Sequence, residues 1–305
     1  MKSVVRIGTR GSQLALWQAD WVKNNLETRH PGLEVILEVI KTKGDKMLEG
    51  PLATVGGKGL FVKEIEDALL EGRIDLAVHS MKDVPMEVPN PLWIPAITER
   101  EDPRDVLISR NGATLADLPE GARIGTSSVR RQAQLLHYRS DLRIIPLRGN
   151  INTRLQKLET EGLDAIVLAA AGIKRMGWEA KITQYLSYEI SLPAIGQGAL
   201  GIECRREDTP INQLAARLNH GATALAVTAE RAFLRRLEGG CQTPIACYGE
   251  VQGQHLHLTG LVSTKDGKIR VRAHTLGRSD RGEKLGIELA EQILARGGKE
   301  ILNVL

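Results

Sequence analysis

The chain has 305 residues with a formal net charge of +4, and its hydrophobic and charged fractions, 42% and 26%, are ordinary for a soluble globular protein with two or three domains. Aromatic residues make up only 3%, so there are few side chains on which bases could stack, and nucleic-acid binding is disfavoured. No apolar run reaches membrane-spanning length, and the N-terminal residues lack the apolar core of a signal peptide. Three widely spaced cysteines favour reduced thiols, so we expect a cytoplasmic protein.

The first two-thirds of the chain alternate strand and helix patterns. The first series predicts, in chain order, strand Val4–Gly8, helix Ser12–Arg29, strand Leu33–Ile40, helix Lys58–Glu71 and strand Ile74–His79. The second series, after Arg104, predicts strands Asp105–Ser109 and Ala122–Gly125, a helix from Ser128 to about Arg139, strand Leu142–Leu147, a helix from Asn150 and strand Asp164–Ala169. This alternation predicts parallel α/β layers.

Two proline-bearing junctions, Glu101-Asp102-Pro103 and Ser191-Leu192-Pro193, enclose the second series, and Ala199–Cys204 has the pattern of a further buried strand. We therefore expect the chain to leave one α/β domain, build a second and return. Residues 1–99 and 199–217 would form the first lobe and residues 104–193 the second. Such a topology predicts a hinged cleft between the lobes, a common place for ligands.

From residue 221 the pattern changes, which predicts a small α+β domain over residues 221–305. Its elements are a helix Ala222–Leu237, strands Ile245–Gly249, His255–Val262 and Lys268–His274, and a closing helix at about Lys284–Ala295. Asp266-Gly267 is a strong hairpin signal between the last two strands.

Cys241 follows the long helix of this domain within Glu238-Gly239-Gly240-Cys241-Gln242-Thr243-Pro244. We expect the two glycines to end the helix with positive φ and Pro244 to prevent its restart. The thiol would then be presented on a tight turn. Taken alone, this segment favours an incidental cysteine, and a functional thiol becomes the better interpretation only if the rest of the chain builds a site that needs one.

Several strand-to-helix corners carry cationic and hydroxyl side chains. Gly125-Thr126-Ser127-Ser128-Val129-Arg130-Arg131 offers backbone N–H groups and hydroxyls to an anion, and its two arginines oppose the helix dipole, so a bound anion would stabilise them. The alternative is a solvated helix start with two surface arginines. Similar corners occur at Leu147-Arg148-Gly149-Asn150, with Arg154 one turn later, and at Thr9-Arg10-Gly11-Ser12, while Arg175 follows the strand Ala165–Ala170. Together they predict a ligand with many carboxylates.

The segment His79-Ser80-Met81-Lys82-Asp83-Val84-Pro85 ends a predicted strand, where reactive groups collect in α/β proteins. Asp83 is a carboxylate among cations, so a catalytic role and a simple ion pair with Lys82 are about equally supported here. Gly56-Gly57-Lys58-Gly59 lacks the spacing of a phosphate loop, which disfavours nucleotide binding.

Taken together, these segments resemble the porphobilinogen deaminase family over essentially the whole chain. The motifs that carry the resemblance are Val55-Gly56-Gly57-Lys58-Gly59-Leu60-Phe61, His79–Pro85, Arg100-Glu101-Asp102-Pro103-Arg104-Asp105, Gly125–Arg131, Leu147–Asn150, Leu192-Pro193-Ala194-Ile195-Gly196-Gln197-Gly198 and Glu238–Gln242. One motif alone is weak evidence, but so many in one order are very specific.

The resemblance implies two periplasmic-binding-protein-like lobes and a C-terminal domain. It implies a dipyrromethane cofactor attached covalently to Cys241, onto which four porphobilinogen units are added with loss of ammonia before hydrolysis releases hydroxymethylbilane. Asp83 would be the catalytic carboxylate. The residues implied to bind cofactor and substrate are Arg10, Ser12, Lys58, Ser80, Lys82, Asp83, Thr126, Ser128, Arg130, Arg131, Arg148, Gly149, Arg154 and Arg175. Thr54 stands where some relatives have a lysine, which puts one cofactor ion pair in doubt.

We expect a monomer that binds a small-molecule substrate, without a metal, a nucleic acid or a membrane. Two other functions compete with this interpretation. A non-catalytic hinged module for a polycarboxylate would use the arginines but would leave Cys241 and Asp83 without a role. A cysteine hydrolase would need a base beside the thiol, and no histidine is near Cys241 in sequence.

Overall fold

The computed structural model describes residues 3–46, 62–239 and 243–304. Its strands are β1 (Val4–Thr9), β2 (Glu34–Val39), β3 (Leu76–Ser80), β4 (Leu92–Ile97), β5 (Asp105–Ser109), β6 (Arg123–Gly125), β7 (Arg143–Ile145), β8 (Ala165–Ala169), β9 (Gln184–Tyr185), β10 (Leu200–Arg205), β11 (Ile245–Gln252), β12 (His255–Ser263) and β13 (Arg270–Arg278). Its α-helices are α1 (Gln13–Arg29), α2 (Lys43–Lys46), α3 (Lys63–Leu70), α4 (Val129–Tyr138), α5 (Ile151–Thr160), α6 (Ala170–Arg175), α7 (Thr209–Ala216), α8 (Gly221–Arg236), α9 (Gly282–Ile293) and α10 (Lys299–Asn303).

The first lobe is built on a five-stranded sheet in the order β2-β1-β3-β10-β4. The strand β1 pairs in parallel with β2 and β3, whereas β10 is antiparallel to both β3 and β4. One face of the sheet packs against apolar side chains of α1 and α7, and the other packs against α3. The edge strand β4 was not predicted because it contains Pro95, which a sheet tolerates at its edge.

The second lobe repeats this architecture in the order β7-β6-β8-β5-β9. Here β6 pairs in parallel with β7 and β8, and β5 is antiparallel to β8 and β9. The predicted parallel layers are therefore present, with one antiparallel strand in each lobe that the alternation did not predict. Both β5 and β10 begin at the edge of the sheet where the parallel strands end. A parallel strand would need a crossover connection back to the opposite edge, so a strand that begins at this edge runs antiparallel to its neighbours.

The C-terminal domain has a three-stranded antiparallel sheet in the order β11-β12-β13. The predicted hairpin turn is present: Gly267 has a φ of 72°, and Asp266 Oδ1 accepts a hydrogen bond from the Lys268 N–H at 3.1 Å. The turn lies on α4 of the second lobe, where the Gly267 carbonyl is 2.9 Å from His137 Nδ1. The hairpin therefore contacts α4, the helix whose first turn carries Arg130 and Arg131.

The predicted fold class, two α/β lobes and a small C-terminal α+β domain, is confirmed by these three sheets. The chain divides into two compact units, Met1–Arg100 with Ala199–Ala224, and Glu101–Gly198 with Leu225–Leu305. The second unit holds both the second lobe and the C-terminal domain, and the three-domain boundaries stay a prediction. Within the described ranges, no helix combines the length and apolar character needed to cross a bilayer.

Candidate functional site

The corner between β6 and α4 is tied to the neighbouring strand end. Ser128 caps α4, and its hydroxyl accepts a hydrogen bond from the Arg131 N–H at 3.4 Å. The Ser127 hydroxyl donates to the Leu147 carbonyl at 3.0 Å and accepts from the Leu147 N–H at 2.9 Å. Thr126, which is buried, donates its backbone N–H to the Ile145 carbonyl at 2.9 Å. The corner therefore holds a fixed geometry at the carboxyl edge of the second sheet.

Arg130 and Arg131 lie buried behind this corner, each only 5% exposed. Both bind Asp105, the first residue of β5. Arg130 Nη1 is 2.8 Å from Asp105 Oδ2, and Arg131 donates from Nε at 3.0 Å and from Nη2 at 2.7 Å to Asp105 Oδ1. The alternative of two solvated surface arginines is therefore wrong, and the chain supplies one counter-anion itself.

Burial governs the electrostatics of this cluster, which we call the Arg-Arg-Asp cluster (Arg130, Arg131 and Asp105). Desolvation alone would raise the pKa of Asp105, but the charges and hydrogen bonds of the two arginines outweigh it and hold that pKa well below its usual range. Desolvation lowers the pKa of Arg130, and Asp105 opposes that shift. With two guanidinium groups and one carboxylate, the cluster carries a net charge of about +1.

The next two parallel strands place further cations after their carboxyl ends. Asn150 caps α5 and accepts from the Thr153 N–H at 2.9 Å, and Gly149 takes a φ of 112° just before it. Arg154 Nε donates to the Gly149 carbonyl at 2.8 Å, and half-buried Arg148 is the residue before Gly149. Because β6 and β7 are parallel, the Arg148–Arg154 segment lies at the same edge of the sheet as the β6–α4 corner.

Arg175 ends α6, the helix that follows β8. Its Nη2 donates to the Gly198 carbonyl at 2.6 Å, and burial lowers its pKa to about 10. The second lobe thus brings together the predicted residues Thr126, Ser128, Arg130, Arg131, Arg148, Gly149 and Arg154 at one edge, with Arg175 one short helix away.

The first lobe presents its own predicted residues at the carboxyl edge of its sheet. Ser12 caps α1 and accepts from the Ala15 N–H at 3.3 Å, with half-buried Arg10 just before it. At the end of β3, the Ser80 hydroxyl accepts from Gln18 Nε2 of α1 at 3.0 Å. These contacts link the beginning of α1 to the end of β3.

Asp83 ends a short 3₁₀ turn, Met81–Asp83, that follows β3. Met81 is 1% exposed and fixes the turn to the core, while Lys82 is half-buried and Asp83 is exposed. The buried methionine therefore holds the turn while the carboxylate faces solvent. This edge carries Arg10, Ser12, Ser80, Lys82 and Asp83, five of the predicted residues.

A buried acid–imidazole cluster, which the sequence did not indicate, lies in the first lobe. His79 Nε2 of β3 is 2.8 Å from Glu203 Oε2 of β10, and both side chains are buried. Burial and, next, the charge of Glu203 raise the pKa of Glu66 on α3 to about 7. The sequence signals that could have found it are the polar residues His79 and Glu203, each of which interrupts an otherwise apolar predicted strand.

Lys58, Thr54 and Cys241 lie outside the described residues, so their roles stay predictions. Just before Cys241, the expectation of positive φ at the glycines is wrong for Gly239: Glu238 takes the positive φ, 52°. Gly239 lies close to neighbouring side chains instead, since a Cβ there would lie 2.7 Å from Leu234 Cδ1. The other two cysteines are buried in β10 and β11, and burial raises the pKa of the Cys204 thiol.

Fold and site together define a class: a two-lobed α/β protein whose described sheet edges carry guanidinium, ammonium and hydroxyl groups, which can bind carboxylates, with the exposed acid Asp83 at one of these edges. The particular family follows from comparison with known proteins. The family model described as "Porphobilinogen deaminase, dipyromethane cofactor binding domain" matches residues 5–213, and "Porphobilinogen deaminase, C-terminal domain" matches residues 224–295.

Curated proteins named porphobilinogen deaminase match nearly the whole chain. The protein of Geotalea uraniireducens (strain Rf4) is 61% identical over 298 residues, which cover 98% of this chain and 93% of that protein. The protein of Pelobacter propionicus is 58% identical over 298 residues, 98% of this chain and 96% of that protein. The chain belongs to the porphobilinogen deaminase family, an enzyme family of tetrapyrrole synthesis.

Two solved structures of binding proteins show a distant similarity to this chain. The probable amino-acid ABC transporter extracellular-binding protein YtmK from Bacillus subtilis is 10% identical, covers 70% of this chain and 89% of that chain, and has a TM-score of 0.44. The periplasmic aliphatic sulphonate binding protein SsuA from Escherichia coli is 17% identical, covers 78% of this chain and 71% of that chain, and has a TM-score of 0.40.

The residues present fit a cofactor that carries carboxylates. The Arg-Arg-Asp cluster retains a net positive charge although it is buried, which one further carboxylate would neutralise. Backbone N–H groups and hydroxyls at the starts of α4 and α5 suit the same group. The donor set of the second lobe therefore matches the cofactor named by the family model.

Proposed function

We propose that this chain is a porphobilinogen deaminase, also called hydroxymethylbilane synthase. It is a transferase that joins four porphobilinogen molecules head to tail, with loss of one ammonia each, and releases the linear tetrapyrrole by hydrolysis. The observation that carries this proposal is the gathering of buried and half-buried arginines at the carboxyl edge of the second lobe, in a chain of this family. A guanidinium fork binds a carboxylate with two parallel hydrogen bonds, which suits acetate and propionate groups.

We propose that the cofactor is a dipyrromethane attached through the sulfur of Cys241. When bound, it supplies the pyrrole end to which the first substrate molecule is joined. Burial of Cys204 and Cys247 in strands supports this choice, because buried thiols are poor nucleophiles.

The proposed binding residues divide by lobe. In the second lobe, Thr126, Ser128, Arg130, Arg131, Arg148, Gly149, Arg154 and Arg175 would bind carboxylates of the cofactor and the growing product. In the first lobe, Arg10, Ser12, Ser80 and Lys82, together with Lys58, would bind the substrate.

Asp83 is the proposed catalytic residue. Positive charge develops on a pyrrole as ammonia leaves, and a fixed carboxylate near the pyrrole N–H stabilises that charge. The same group can accept or return a proton during the step. Its exposure on a turn anchored by Met81 supports this role, since the carboxylate can reach a bound substrate.

The partner we propose is the small molecule porphobilinogen alone, bound by a monomer in the cytoplasm. The competing function, a non-catalytic polycarboxylate binder, would use the same arginines. Two measurements distinguish them: the intact mass of protein purified from cells that make porphobilinogen, and ammonia release when porphobilinogen is added. An enzyme shows a covalent two-pyrrole adduct and releases ammonia, and the Cys241→Ser variant does neither. A wild-type protein of unmodified mass that releases no ammonia would be a binder.

A further inference from the structure

Asp105 receives an unusual number of hydrogen bonds for a single carboxylate. Besides both arginines, the Ser191 hydroxyl donates to Oδ2 at 2.7 Å and Gln197 Nε2 donates to Oδ1 at 3.0 Å. Asp105 itself is fully buried. It therefore ties β5, α4 and the returning Ser191–Gln197 segment to one point at the carboxyl edge of the second sheet.

Both arginines have more N–H groups than these contacts use. Each guanidinium has five N–H groups. Arg130 uses three of them, two toward Asp105 and one toward the Leu192 carbonyl. Arg131 also uses three, two toward Asp105 and one toward the Val167 carbonyl. Within the described ranges, these hydrogen bonds therefore occupy three of the five N–H groups of each guanidinium.

The first lobe builds the corresponding corner without this cluster. Counted from the N-cap serines Ser12 and Ser128, Leu14 and Ala15 stand where α4 has Arg130 and Arg131. Ser80 and Ala169 are the last residues of the equivalent strands β3 and β8. The residue paired with Ser80 is Leu200, and the residue paired with Ala169 is Asp105, so Leu200 stands in the first lobe where the second has Asp105.

The corner is thus built from apolar residues in the first lobe and from three charged residues in the second. Burying such a cluster contributes little stability compared with apolar side chains of similar size. A role in ligand binding explains why the three charges are found at the second corner.

We propose that Asp105 is a positioning residue, which fixes Arg130 and Arg131 as a receptor for one ligand carboxylate. Its two oxygens hold the guanidinium groups at one orientation, and its charge reduces their mutual repulsion. With two guanidinium groups and one carboxylate, the cluster keeps a net positive charge, which one carboxylate of a ligand would neutralise. This inference rests on the proposed function, because the ligand carboxylate is one of the covalent cofactor.

Two variants test it. The first carries the residues of the first lobe, Asp105→Leu with Arg130→Leu and Arg131→Ala. The second is Asp105→Asn, which keeps the shape and removes the charge. Asp102→Asn is the matched control, because Asp102 lies three residues earlier and binds Arg104 instead. Thermal unfolding is measured in a Cys241→Ser background, so that cofactor loading does not affect it, and the adduct fraction is measured by intact mass with Cys241 present.

We expect the triple variant to fold and to show no covalent adduct. Asp105→Asn should fold and lose about tenfold or more of the adduct fraction, whereas Asp102→Asn should load normally. Normal loading of the triple variant or of Asp105→Asn would overturn the inference. Failure of the triple variant to fold would also overturn it, because the second lobe would then need the cluster for its stability. If wild-type protein itself carried no adduct, the proposed function would fail instead.

Discussion

The two lobes are built from the same strand order and differ in the side chains at one edge. Both carry Arg-Ile-Gly-Thr at the first of their three mutually parallel strands, at residues 6–9 and 123–126. In both, the backbone N–H of this arginine donates at 2.8 Å to the aspartate just before the third parallel strand, Asp75 or Asp164. At the carboxyl edge, the first lobe has the exposed acid Asp83, and the second has the Arg-Arg-Asp cluster. The framework is therefore shared, and the chemistry is divided between the copies.

This division predicts the largest effect at Asp83, which has no acidic counterpart in the second lobe. Asp83→Asn should reduce single-turnover ammonia release by about 10²–10³, because a preorganised charge is lost while the fold is kept. Asp83→Glu, which displaces the charge, should retain a small residual rate. The measurement uses folded protein that carries the cofactor. Ammonia release by Asp83→Asn at the wild-type rate would make Asp83 a turn residue only.

The arginines of the second lobe should show the next largest effect. Arg131→Lys and Arg148→Lys should reduce turnover or cofactor loading by about tenfold while the fold survives, because lysine lacks the two-pronged geometry of the guanidinium group. Arg143→Lys is the control, since Arg143 is exposed on β7. Wild-type turnover of either variant at physiological salt would contradict the proposed division between the lobes.

The contact of the Asp266-Gly267 hairpin with α4 sharpens the comparison further. Of the two equivalent helices α1 and α4, α4 is the one that carries the buried arginines. Gly267→Ala would place a Cβ against the Ala133 carbonyl oxygen and 2.7 Å from His137 N. Gly253, in the other hairpin turn, also has a positive φ, but nothing lies near its Cβ position. We expect urea unfolding to show a loss of about 2–3 kcal/mol for Gly267→Ala and about 1 kcal/mol for Gly253→Ala. Equal losses would mean that the docking contributes nothing.

The smallest effect concerns the acid–imidazole cluster of the first lobe. The raised pKa of Glu66, about 7, makes its contribution to stability fully present below its ordinary pKa of 4.5 and lost as pH rises through 7. Glu66→Gln should therefore unfold less readily than wild type at pH 8 by about 1 kcal/mol, after allowance for solvent screening, and should show no such gain at pH 4. Glu207→Gln, in the same lobe but exposed and not among the charges that shift the pKa of Glu66, is the control. An equal gain for Glu66→Gln at both pH values would assign the effect to packing.

Local signals made much of this fold predictable. The helix starts at Ser12, Ser128 and Asn150 and the Asp266-Gly267 turn depend on neighbours within a few residues, so the sequence predicted them. The antiparallel course of β5 and β10 depends on where the chain enters each sheet, which no local pattern encodes.

Asp105 was missed for a similar reason. It lies 25 residues before Arg130, and only pairing of β5 with β8 brings it to the start of α4. An acidic residue opening an otherwise apolar strand, Asp-Val-Leu-Ile-Ser, was the signal that could have found it.

The central claim is that one thiol of three carries the cofactor. Peptide mapping of protein purified from cells that make porphobilinogen tests it most directly. The account predicts a two-pyrrole adduct on the Cys241 peptide, with Cys204 and Cys247 unmodified because both are buried in strands. An adduct on Cys204 or Cys247, or no adduct on any of the three, would contradict it.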